Sequence, residues 1–263
     1  ISVAECINGN KVPNIVSCQD KYWTRSSLIE WLNKEIKSQK NLIGFDFAFS
    51  YPFYDRFSYF PGVKDSPINP ENLWKLIEAK NKYSDNFYGG EIWNDKTFSN
   101  FFNSPKLKGL FFSSRRRSTE VIAKKKIHSP SPTFNCVGPG AVGTGTLSGM
   151  RILNRLKHKA KIWPFEDLNF SNQSVLVEIF PTYYFRLSKI KPEKKIGYSI
   201  ENINKSLRFF KSKPLKKNQI IRGPDQDDAD SIISSAALRF LSTDKKNWNV
   251  PNLSKKEGWI FGV

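Results

Sequence analysis

Two apolar runs in this chain each carry a single acid where a strand interior would ordinarily be hydrophobic. They are "NLIGFDFAFSYP", with Asp46, and "SVLVEIFP", with Glu178. Short apolar runs rich in aromatic and branched residues read as buried strands. Taken with the helical segments around them, in the order hairpin, helix, strand, helix, strand, helix, they make an α/β pattern. An unpaired buried carboxylate is costly, so each acid requires a partner, a metal ion or a place at a strand end. Pro181, three residues after Glu178, puts that acid near the carboxyl end of its strand. Open α/β sheets build their sites at that end.

The segments between these runs read mostly as helices. "SSLIEWLNKEIKSQ" spaces Ser27 and Glu30 as a capping box and lines Leu28, Leu32 and Ile36 along one face. "NPENLWKLIEAKNKY" carries Asn69 as a cap and Pro70 in the first turn. In "LSGMRILNRLK", Leu147, Met150, Ile152, Leu153 and Leu156 fall near a 3.6-residue period. "DQDDADSIISSAALRFL" opens on four acids and continues as a helix burying Ile232, Ile233, Ala236, Ala237 and Phe240. The lysine-rich stretch from Ser188 to Asn218 reads as a helix with flanking loops. At the start, "ISVAECI" and "VPNIVSC" flank Asn8-Gly9-Asn10 as a hairpin, and "EGWIFGV" ends the chain as a short strand or extended tail. Residues 84–132 are aromatic, basic and irregular. Without an internal repeat or a linker-like shift in composition, residues 1–263 read as one domain with a large central insertion at roughly 84–132.

"VGPGAVGTGTLSGM" holds the spacing Gly138-x-Gly140-x-x-Gly143 of a dinucleotide-binding fingerprint. That fingerprint needs a strand before it and an acid about 20 residues on. The preceding "SPSPTFNCV" is a poor strand, and Glu166 falls inside the turn-like "WPFED". No dinucleotide cofactor is expected; the glycines read as a tight turn packed closely on its neighbours. Amides at the following helix start could still hold an anion.

The formal charge is +18, from 42 Lys+Arg against 24 Asp+Glu. Such a balance points to a polyanionic partner, most simply nucleic acid. A composition rich in Lys, Asn, Ile and Phe would also scatter lysine over a surface without function, so clustering is the better signal. "SSRRRSTEVIAKKKIH" packs Arg115, Arg116, Arg117, Lys124, Lys125 and Lys126 into twelve positions, which reads either as a phosphate contact or as a solvated face. No run of 18 apolar residues predicts a membrane span. The start lacks a secretory pattern, and Cys6, Cys18 and Cys136 lack metal spacing. A cytoplasmic protein with reduced thiols is the expectation. His128 and His158 have no nearby partners for a nucleophilic triad.

The acids carry the chemistry. Asp227 and Asp230, three apart on a first helical turn, project toward one face, with Asp225 and Asp228 on others. Acids at a helix start also complement the dipole, and a salt bridge is the plain alternative for Asp46 and Glu178. Carboxylates converging from two strands and a helix start suit hard divalent cations, Mg²⁺ or Mn²⁺. In a basic chain the natural chemistry is two-metal phosphodiester hydrolysis.

These stretches together resemble the DUF429 family, described as predicted nucleases with a ribonuclease H-like fold. The resemblance runs through "IGFDFAFSYP", "RRRSTE", "PTFNCVGPGAVGTGTLSGMRILNRLK" with "IWPFE", "VEIFPTYYFR", "DDADSIISSAAL" and "EGWIF", in the family's order and over most of the chain. It implies a mixed sheet flanked by helices, with catalytic and metal-binding carboxylates at Asp46, Glu178, Asp227 and Asp230. Arg115, Arg116, Arg117, Arg151, Gly140 and Gly143 are candidates to hold substrate phosphate. Such folds usually open with a strand bearing an acid in an Asp-x-Ser type motif. Here that first strand reads as missing, and Glu5 does not align with its acid. The expectations are a nuclease, a non-catalytic nucleic-acid-binding protein on the same fold, or a nucleotide-handling phosphotransferase. The last is disfavoured by the lack of a second glycine turn.

Overall fold

A computed structural model describes residues 1–7, 12–168, 172–191, 198–216 and 227–263. Its centre is a three-stranded parallel sheet of β3 (Leu42–Phe45), β5 (Val175–Glu178) and β4 (Lys161–Ile162), with β5 in the middle. The mixed α/β class expected from the two apolar runs is what forms. β1 (Ala4–Glu5) and β2 (Asn14–Ile15) pair antiparallel as a separate hairpin. The Asn8-Gly9-Asn10 turn lies outside the described residues.

All four residues of β5 are buried, as a central parallel strand requires. Its alternation divides the interior. Leu176 joins a core with α1 (Arg25–Ser38), α2 (Pro70–Lys80) and α4 (Gly143–Leu156). Val175 and Val177 join a second core with α5 (Pro181–Leu187), α6 (Ile200–Phe209) and α7 (Asp227–Leu241). The period of two therefore sends one strand's side chains into two helix layers.

Caps fix where the helices begin. Asn69 accepts from the Asn72 amide at 2.8 Å ahead of Pro70, as the spacing predicted. α1 starts one turn earlier than expected: its reciprocal box joins Thr24 to Ser27, not Ser27 to Glu30. Thr24 stands the same three residues ahead of a side chain able to return the bond, so the earlier frame gains a turn. Residues 84–132 contain three short 3-10 turns and α3 (Ser118–Lys126), whose last turn carries Lys124, Lys125 and Lys126 toward the negative dipole end.

Two close approaches set the helices around the strand ends. A Cβ on Gly44 would meet Ile179 at 2.6 Å and Leu238 of α7 at 2.7 Å, so glycine lets α7 cross β3 closely. On the other layer, Gly149 of α4 lies against the ring of Phe47. The chain end returns through α8 (Ser254–Glu257), and Ile260 bridges Glu178 in parallel. It occupies the side of β5 that β4 leaves after Ile162. Among the described residues, no helix is long and apolar enough to cross a membrane.

Candidate functional site

Asp46 is the first residue past β3, and Glu178 is the last of β5, one register step back beside Phe45. Both acids stand at the carboxyl edge of adjacent parallel strands, as Pro181 predicted for Glu178. Their surroundings differ completely.

Glu178 is buried, and both its oxygens are taken. Arg117 donates to Oε2 at 2.7 Å and to Oε1 at 2.5 Å, and the Phe49 amide donates to Oε2 at 3.0 Å. Arg117 also donates to Glu120 at 2.8 Å and to the Glu257 carbonyl at 3.2 Å. Burial opposes charge on the guanidinium, but Glu178 and Glu120 outweigh it and hold Arg117 ionised well above its ordinary range. Glu257 extends the network, accepting from the amides of Phe53, Tyr54 and Ser118 at 2.8, 2.9 and 2.7 Å. Glu178 is thus half of an internal ion pair that pins the loop following Asp46. The expected phosphate contact by Arg117 is replaced by this pairing, because its side chain is 2% exposed.

Two other arginines are likewise committed to the protein. Arg115 grips Asp55 bidentately at 2.7 and 2.8 Å and donates to the carbonyls of Pro52, Ser58 and Tyr59. Arg151 is buried against Glu78 at 2.8 Å and the carbonyls of Ser84 and Tyr88. Neither points at a ligand. Arg116 is partly exposed and donates to the Pro130 carbonyl, which leaves it the member of the run with donors to spare.

The glycine segment is an exposed turn from Gly138 to Val142 that becomes closely packed only at Gly143, not along its length as expected. Gly138 and Gly140 take left-handed φ of +82° and +73°, where a side chain would be strained. Gly143 donates to the Asn135 carbonyl at 2.8 Å, and a Cβ there would sit 2.5 Å from Cys136 Sγ. Asn135 forms only an isolated bridge, so no strand feeds the turn. The amide of Gly143 is used internally, while the α4 start has no side-chain cap.

What converges is a smaller set. Asp46 is exposed to solvent. Desolvation, then the charges of Glu178 and Asp227, raises its pKa to about 7. Asp230, in the first turn of α7, is raised to about 7 by burial, Asp46 and Asp227. Its Oδ1 has no hydrogen-bond partner among the described residues. Tyr198 hydrogen-bonds Asp230, and burial followed by that acid pushes the phenol to about 12. Asp227 is more open and lies 3.6 Å from the Ile1 amino group. Asp228 turns away to accept from Ser2 at 2.5 Å, and Asp225 lies outside the described residues.

All four predicted acids therefore fall within one electrostatic neighbourhood, but Glu178 is paired with Arg117, and no cation is among the influences on Asp46 or Asp230. Tyr198 went unseen in the sequence because a tyrosine in a lysine-rich stretch carries no spacing signal. Among the described residues, no three of His, Cys, Asp and Glu are grouped to hold a metal ion. Two raised carboxylates and one orphaned oxygen nonetheless suit Mg²⁺ or Mn²⁺. Mg²⁺ is commonly held by one or two carboxylates, with water and substrate phosphate completing the shell. No protein-family profile, curated protein or solved structure matches this chain.

Proposed function

We propose that this chain is a metal-dependent nuclease of the ribonuclease H-like class, hydrolysing phosphodiester bonds of DNA or RNA. The observation that carries the reading is Asp46, at the carboxyl edge of the parallel sheet, in electrostatic reach of Asp227 and Asp230 in the first turn of α7, with no cation among the influences on Asp46 or Asp230. A charge of +18 and the resemblance to the DUF429 family support it. Like charges brought together without a cation raise each other's proton affinity, and a structure retains that cost where a function needs it. Asp46 and Asp230 would hold the ion, with Asp227 at the rim. When bound, Mg²⁺ or Mn²⁺ supplies a deprotonated water and charge to stabilise the leaving oxygen.

The remaining residues position these two. Tyr198 restrains one side of Asp230 and leaves Oδ1 free to accept. Glu178, neutralised by Arg117, fixes the Phe49 amide and so the backbone following Asp46. Arg116 and the uncapped α4 start are the groups able to meet a substrate phosphate.

Calorimetric titration of Mn²⁺ and Mg²⁺ into the chain and into Asp46→Asn is the test. Saturable uptake that the variant loses, accompanied by cleavage of labelled single- and double-stranded DNA and RNA, is the expected result. No uptake by either protein would overturn the enzyme reading. Polynucleotide binding without uptake would move the assignment to a non-catalytic binding protein, and transfer from a nucleotide without polynucleotide cleavage to a phosphotransferase.

A further inference from the structure

Phe57 takes φ +53° and is 77% exposed. The left-handed region is unfavourable for a bulky residue, and such strain persists only where surrounding structure over-determines it. Phe87 has a similar φ of +54°, but its ring packs on the core beneath Arg151. Phe57 gains no such burial.

The turn that presents it is held at many points. Arg115 clamps Asp55 and the carbonyls of Pro52, Ser58 and Tyr59. Glu257 accepts from the amides of Phe53 and Tyr54, and Ser58 hydrogen-bonds Ser66 at 2.9 Å. The amides of Arg56 and Ser58 both close onto the Phe53 carbonyl at 3.2 Å. A buried Arg115 and a buried Glu257 thus hold a rigid tip whose outermost group is an aromatic ring.

The loop that presents the ring carries exposed charges of both signs. Arg56 and Lys64 are exposed, and among the described residues neither pairs with an acid. Lys256 sits 4.3 Å over the Phe53 ring and donates to the Ile68 carbonyl of the same loop. Asp55 is neutralised by Arg115, while exposed Asp65 takes back part of the charge. An exposed aromatic ring next to a free cation, here Phe57 beside Arg56, is an arrangement that stacks an unpaired base while a phosphate is neutralised. Duplex bases offer no free face to such a ring.

We infer that the 53–58 turn is a single-strand contact, with Phe57 stacking on a nucleobase and Arg56 and Lys64 meeting the adjoining phosphates. It rests on the nucleic-acid part of the proposed function, not on hydrolysis. It names the preferred form of the partner: a single-stranded segment of DNA or RNA.

The test measures fluorescence anisotropy of labelled 20-nucleotide single strands and the matching duplex on the full chain, Phe57→Gly, Phe57→Trp and Arg56→Glu. Glycine adopts φ +53° freely, so Phe57→Gly removes the ring and the strain together, and a lost affinity cannot be ascribed to unfolding. Single-strand affinity is expected to fall by roughly five- to a hundredfold in Phe57→Gly. Phe57→Trp should keep it, duplex affinity should barely change, and Arg56→Glu should flatten the salt dependence. Unchanged single-strand affinity in Phe57→Gly, while the parent binds, overturns this inference alone. An equal loss on single strand and duplex also overturns it, since stacking would not be the cause. Failure of the parent to bind any polynucleotide overturns both this inference and the nucleic-acid reading. Metal uptake at Asp46 would then be judged separately.

Discussion

The acids around one sheet edge are not one kind of thing: Glu178 is buried, Asp230 half-buried and Asp46 exposed. Glu178 has a guanidinium on both oxygens, whereas no cation is among the influences on Asp46 or Asp230. Their responses to substitution should be opposite. Removing one partner of a buried pair strands the other charge, so Glu178→Gln or Arg117→Met should each cost about 3–5 kcal/mol in urea unfolding. The double variant should lose less than the sum. Asp46→Asn and Asp230→Asn should instead stabilise the protein above neutrality. Both carboxyls have folded pKa values of about 7, against about 4 when unfolded. Between those limits the folded state holds more protons than the unfolded one, so their contribution declines as pH rises. The loss is complete above pH 7 and absent below pH 4. Melting curves from pH 5 to pH 8 should therefore show each Asn variant gaining on the parent as pH rises. His128, whose pKa is lowered by burial, opposes this slope equally in parent and variant and cancels in the difference. A constant difference across that range would mean that the folded state does not raise the pKa of either carboxyl.

At the scale of elements, the site exists because helices can come close to strand ends, and glycines decide how close. Gly44→Ala would press a methyl into Ile179 and Leu238 and push α7 off β3. Overpacking of this kind typically costs about 1–3 kcal/mol. Adding Leu238→Ala should recover part of it, and both losses should appear in thermal unfolding; an additive double variant would deny the contact its role. Sequence reading fared unevenly here for a physical reason. β3, β5, α2 and α7 were legible because apolar period, Asn69 with Pro70, and the acid-rich α7 start are local signals. Asp46 and Glu178 were both noticed, but nothing near either residue distinguishes a paired acid from an unpaired one. The difference lies in Arg117, 61 residues from Glu178 along the chain. The "RRR" run misled similarly: adjacent arginines look like one basic patch, yet Arg117 points inward, Arg115 grips Asp55, and only Arg116 retains free donors. Alternation along an irregular segment is set by the tertiary fold, which a string of like residues does not encode.

For the whole molecule, the open matter is whether +18 charges act as a field or as a site. Salt dependence separates these. Each phosphate neutralised on a single strand contributes about −0.7 to the slope of log affinity against log salt. A surface that is basic only by composition spreads this over many lysines, so no single reversal alters the slope much. A built site concentrates it. Lys124, Lys125 and Lys126 lie at the end of α3, with Lys126 donating to the Val263 carbonyl at 2.6 Å. Arg116 lies just ahead of the same helix, eight residues before Lys124. Reversing Arg116 alone should therefore reduce the slope by roughly one contact if it meets phosphate, whereas Lys124→Glu and Lys125→Glu should change affinity through the general field and leave the slope nearly intact. Titrations of a labelled single strand between 50 and 300 mM salt, a range set by roughly where counterion release dominates, read this directly. Equal small changes from all three reversals would make the charge a diffuse field, and the polyanion would then be steered to the acids by long-range attraction without being held beside them by Arg116.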